Sequence, residues 1–73
     1  MSMDLPTIGC SVVCEVIKEG FEQVTCKILN KQNILFIGII KGSRLKYKKG
    51  DKVECKVISY SDNGIILSTI KDI

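Results

Sequence analysis

An alternating run, Lys52 to Tyr60, and a second β-rich run, Ile65 to Ile70, flank an Asn63-Gly64 pair near the end of the chain. They constrain its fold more than any other feature. In the first run Val53, Cys55 and Val57 share one face, the two-residue period of a strand with one side buried. Asn-Gly between two β-rich runs predicts a tight hairpin, because a type I′ turn needs positive φ at both central residues. Gly50-Asp51 supplies a turn immediately before it.

The same period recurs upstream. From Ser11 to Lys18, Val12, Cys14 and Val16 oppose Ser11, Val13, Glu15 and Ile17. Glu19-Gly20 then turns the chain. From Gln23 to Leu29, Val24, Cys26 and Ile28 oppose Gln23, Thr25 and Lys27, and Asn30 to Asn33 form a polar turn. Ile34 to Ile40 is a β-branched apolar run interrupted by Gly38, and reads as a strand. Met1 to Thr7, with Pro6, reads as a lead-in, leaving residues 8–73 as one domain. Five short strands and no amphipathic helix predict an all-β fold, a small closed barrel. Gly20, Gly38, Gly50 and Gly64 fall at strand ends or within a strand, where bulges and sharp bends are expected.

Seventy-three residues, 45% of them apolar and 26% charged, suit one globular domain and argue against disorder. No apolar run approaches the ~20 residues of a bilayer span, and no basic-then-apolar leader opens the chain. An intracellular location, cytoplasmic or nuclear, is expected. Cys10, Cys14, Cys26 and Cys55 include no C-x-x-C pair, and the chain has no His. Disulfides and zinc are therefore set aside, with no metal or cofactor expected. Cys14, Cys26 and Cys55 alternate with Val or Ile and read as buried thiols; the role of Cys10 is open.

The net charge of +3 conceals an asymmetry. Residues 1–30 carry a net −2, residues 31–56 a net +6, and the remainder −1. Lys41, Arg44, Lys46, Lys48 and Lys49 fall within nine residues that contain no acid. Such a segment would neutralise phosphates along a nucleic-acid backbone. Tyr47 among them could stack a base, and Ser43 could donate to a phosphate. The alternative is a solvated loop whose lysines discourage aggregation. Phe21 and Phe36 flank the presumed binding face, although a residue such as Phe36 in an apolar run is more often core. Outward apolar residues Val13, Ile17, Ile39, Ile58 and Ile66 would suit a protein interface. No catalytic constellation is visible: Glu15, Glu19 and Glu22 read as a solvated acidic face, and a non-enzyme is expected.

Across residues 8–69 the chain resembles the RNA-binding domain first described in ribosomal protein S-one, a five-stranded OB-type Greek-key barrel. Ile8-Gly9 stands at the family's strand-opening pair, and Phe36-Ile37-Gly38-Ile39-Ile40 at its third strand. Gly50-Asp51 and Leu67-Ser68 match its two most recognisable dipeptides. Within the family the chain is similar to the S-one domain of the RNA exosome cap subunit that also carries a zinc ribbon; the ribbon's four cysteines have no counterpart here. The family's stacking aromatics are replaced by Gly20 and Gln23, its third-strand His by Lys41, and Phe21 takes a position usually held by a small residue. Base stacking contributes about 1–3 kcal/mol per base, so the resemblance implies a reduced platform. What it implies is an RNA-binding module of low sequence specificity in RNA processing or degradation. Its contact residues would be Phe21, Gln23, Phe36, Lys41, Arg44, Lys46, Tyr47, Lys48 and Lys49. Single-stranded RNA is the expected partner. The alternatives are a protein-docking module in an RNA-processing assembly such as an exosome cap, with self-association in view, or a translation-type domain acting on ribosomal RNA.

Overall fold

The structure, a computed structural model, describes residues 5–42 and 45–70. It contains five strands: β1 (Ser11–Lys18), β2 (Gln23–Ile28), β3 (Ile37–Lys41), β4 (Lys52–Ser61) and β5 (Gly64–Thr69). They close in the order β1-β2-β3-β5-β4, with β4 returning to β1. All neighbours are antiparallel except β3 and β5, which run parallel. This is an all-β closed barrel of the OB type. Among the described residues no helix is long and apolar enough to cross a membrane.

The alternating residues point where their period requires. Cys14 and Val16, Val24, Cys26 and Ile28, Cys55 and Val57, and Ile65 and Leu67 are all buried in one cluster with Ile40. Each fully buried aliphatic side chain contributes about 1.5–3 kcal/mol. Gly38 also faces this interior. A Cβ there would lie 2.6 Å from Leu67 Cδ1 and 3.2 Å from Cys26 Sγ. Its strand position is therefore a matter of room: Leu67 and Cys26 occupy the space a side chain would need.

Four expectations are corrected. The β4–β5 turn is made by Asp62 and Asn63, not Asn63 and Gly64, since Gly64 already pairs with Ser61. Only Gly64 of these has positive φ, at 154°, so the turn is not type I′. The bulges fall at Ile17 in β1 and Ile58 in β4, between the register shifts Val16/Lys18 and Val57/Ser59, rather than at glycines. β3 begins at Ile37, three residues later than the apolar run suggests. Asn30 delays it: its Nδ2 donates to the Ile34 carbonyl at 2.7 Å, and its Oδ1 accepts the Ile34 N–H at 3.0 Å. Finally, Ile39 is only 4% exposed, although its register with Thr25 places it on the outer side of the sheet. Val13 and Ile58 are exposed as expected, whereas Ile17 and Ile66 are half-buried.

The register also fixes the two ends of the barrel. Glu15 opposes Lys52, and Gln23 opposes Lys41. The β1–β2 loop (residues 19–22) and the β3–β4 connection (residues 42–51) therefore lie at the same end. The β4–β5 turn and the β2–β3 connection lie at the other.

Candidate nucleic-acid interface

The two loops at the first end are fastened together by backbone bonds. Leu45 N–H donates to the Phe21 carbonyl at 2.8 Å, and Gly42 N–H to the Glu22 carbonyl at 3.1 Å. Lys49 N–H donates to Glu19 Oε2 at 3.0 Å, and Gly50 N–H to the Val16 carbonyl at 2.8 Å. The basic connection is thus anchored on the acidic β1–β2 loop. Its own last turn is closed by Asp51, whose Oδ2 accepts the Lys48 N–H at 2.8 Å while its N–H donates to the Lys48 carbonyl. Gly50, at φ 96°, supplies the positive φ that such a turn accepts only with strain from other residues. The Gly50-Asp51 dipeptide is accounted for as a loop terminator.

Between the loops lies an open cleft of about 500 Å³, lined by Glu19, Gly20, Phe21, Leu45, Lys46, Tyr47 and Lys48. Its form follows from alternation within the connection. Leu45 and Tyr47 turn toward the barrel and pack against the core cluster, while Lys46 and Lys48 turn outward. Opposite them Phe21 is 77% exposed. A large ring left in water forgoes most of the stabilisation of burial, and here it stands beside a tyrosine and two lysines. That combination, an apolar face with cations at its rim, can stack a base while its phosphates meet ammonium groups.

The tightness of the β1–β2 loop explains the missing aromatic at Gly20. A Cβ on Gly20 would lie 2.3 Å from the Gln23 carbonyl oxygen, so no side chain fits without a different loop. The ring in this loop is carried by Phe21 instead, at the cleft rather than on the sheet.

The structure brings four of the nine candidate residues into the cleft: Phe21, Lys46, Tyr47 and Lys48. Lys49 is exposed beside it, with its backbone held by Glu19. Gln23 and Lys41 are exposed and face each other across β2 and β3, below the loops. Phe36 is withdrawn from the contact set. It is 8% exposed, packs in the core cluster, and lies at the opposite end, because Ile28 N–H binds its carbonyl and draws it against the end of β2. Arg44 and Ser43 lie outside the described residues. Sequence reasoning missed Glu19 and Leu45 as cleft residues. The Leu45-Lys46-Tyr47-Lys48 alternation could have revealed Leu45, but nothing local places Glu19 beside residues 26 to 30 positions later.

Among the described residues no cluster of three or more His, Cys, Asp or Glu side chains is arranged to hold a metal ion. At the far end, a shallower apolar cleft of about 280 Å³ is lined in part by Leu5, Leu35, Ile37 and Tyr60, and the Tyr60 hydroxyl donates to the Pro6 carbonyl.

No family model matches the chain, and no curated protein matches it in sequence. Among solved structures it is similar to the crystal structure of a protein provisionally described as an exosome complex RNA-binding protein. The TM-score is 0.72 at 15% sequence identity, covering 97% of this chain and 47% of that one. At that identity the likeness shows the shared barrel fold, and this chain spans about half the length of its neighbour.

Proposed function

We propose that this protein is a non-catalytic, S-one-like OB module that binds single-stranded RNA, largely without regard to sequence, inside the cell. The observation that carries the reading is the cleft in which exposed Phe21 and half-buried Tyr47 stand between Lys46 and Lys48. The structural neighbour's description as an exosome complex RNA-binding protein supports it, and makes subunits of an RNA-processing complex natural further partners. Contact is made at the loop end of the barrel rather than on the sheet. The face of β2 and β3 offers Gln23, Thr25, Lys27, Ile37 and Lys41 but no ring, so stacking there has nothing to use. Phosphates are met by Lys46, Lys48 and Lys49, with Lys41 beneath them.

Fluorescence anisotropy with a short single-stranded RNA at two salt concentrations tests this. Neutralisation of three to five phosphates gives a log K against log salt slope of about −2 to −3.5. Replacing Lys46, Lys48 and Lys49 together by Ala is expected to abolish most binding and flatten the slope. Phe21→Ala alone is expected to weaken binding about tenfold, the loss of one stacked base. A salt-insensitive affinity, or one that survives the triple substitution, would contradict the reading. Absence of binding at low salt would favour the second reading, protein docking, to which the exposed Leu5, Leu35 and Tyr60 at the far end point.

A further inference from the structure

Glu19 is out of place in a cleft that only tracks phosphates. A carboxylate accepts hydrogen bonds and donates none, and it repels the phosphates that Lys46 and Lys48 attract. Yet it lines the cleft with Phe21, Leu45 and Tyr47, and its position is fixed because Oε2 accepts the Lys49 N–H at 3.0 Å. A held acceptor beside an aromatic ring fits the edge of a stacked base that presents donors. Resting on the RNA-binding reading above, we infer that Glu19 selects guanine at the one nucleotide whose base enters this cleft.

The choice among bases follows from their edges, which are free in a single strand. Guanine presents N1–H and an N2 amino hydrogen side by side, two parallel donors that match two carboxylate oxygens. Adenine and cytosine each present one amino group next to a ring-nitrogen acceptor, which a carboxylate repels. Uracil presents one N–H between two carbonyl oxygens. Guanine is the one base that offers Glu19 two adjacent donors on one edge, with its O6 acceptor beyond them. The flanking nucleotides, held through their phosphates by lysines, are bound without regard to sequence.

Four oligouridine RNAs that differ only in one central nucleotide, G, A, C or U, provide the test, read by anisotropy at low salt with the full chain. The guanine RNA is expected to bind about tenfold tighter than the all-uridine RNA, toward the lower end of what one bidentate base contact gives at an exposed site. Glu19→Gln separates recognition from loop support, since its amide oxygen still accepts the Lys49 N–H while its NH₂ opposes guanine's donors. That variant is expected to lose the guanine preference and move toward adenine, which a glutamine side chain can match, while its affinity for the all-uridine RNA rises modestly because a charge that repels phosphate is gone. Equal affinities for all four RNAs, or a guanine preference that survives in Glu19→Gln, would overturn the inference while leaving RNA binding intact. If none of the four binds, the RNA-binding reading itself fails and the inference falls with it.

Discussion

Cys14, Cys26 and Cys55 show how much one residue type decides inside so small a barrel. All three are fully buried, and Cys14 Sγ lies 3.6 Å from Cys55 Sγ. Cys26 Sγ donates to the Gly38 carbonyl at 3.5 Å, and Cys14 Sγ to the Val53 carbonyl at 3.5 Å. The Cys26 thiol, acting against the bond from Cys55 and reinforced by burial, pushes Cys14 up to about 12 from 9.0. Its bond to Cys14, together with burial, raises Cys55 further still. Below about pH 9 folded and unfolded chains both keep the Cys14 and Cys55 protons, so these two thiols add no pH dependence there. Above it Cys14 and Cys55 ionise in the unfolded chain but not in the folded one, and stability falls by up to about 1.4 kcal/mol per pH unit for each of these two. Urea midpoints at pH 8 and pH 10 should show the decline. A thiol reagent at neutral pH should find one reactive group in the native protein, the half-buried Cys10, and four in urea. The burial of these three cysteines was legible in their alternation with Val and Ile. Gly38 was not: its need for room depends on Leu67 and Cys26, which reach it only when β5 and β2 flank β3.

Three strands were legible for the same reason as the cysteines, since β1, β2 and β4 each repeat a two-residue period over six residues or more, and β5 followed as the β-rich run after the Asn63-Gly64 pair. Their connections were less so. The β2–β3 connection is set by one side chain: Asn30 bonds the carbonyls of Ile28 and Ile34 and the Ile34 N–H, and Asn33 adopts φ 57° within the loop. Local polarity marks a turn there, but not where the next strand begins. Asn30→Ala leaves those groups without their partner and is expected to cost about 1–3 kcal/mol in chemical denaturation. RNA affinity should be unchanged, because this connection is at the end of the barrel remote from the cleft. The bulges at Ile17 and Ile58 answer to closure of the whole sheet, and no residue type announces them.

At the scale of the whole molecule, the parallel pairing of β3 with β5, Gly38 to Ile65 through Ile40 to Leu67, converts a row of hairpins into a barrel. Among the described residues closure leaves no free strand edge, so the surface open to a partner is made of loops and outer faces. The charge asymmetry read from the sequence acquires a shape from this topology. The acidic β1–β2 loop and the basic β3–β4 connection meet at one end, where carboxylate and carbonyl acceptors of the first hold backbone donors of the second. The basic segment was legible as a charge run with Tyr47 inside it. The cleft was not, because Phe21 and Glu19 come from a loop far away in sequence and only the β1–β4 and β2–β3 registers bring them to it. Backbone amide NMR of the labelled protein, titrated with a short single-stranded RNA, tests this placement most directly. The account predicts that the largest shifts fall at Glu19–Phe21 and Leu45–Lys49, with Thr25, Ile37 and Ile66 little changed. Shifts centred on the β2–β3–β5 face, with the loop end unmoved, would contradict it.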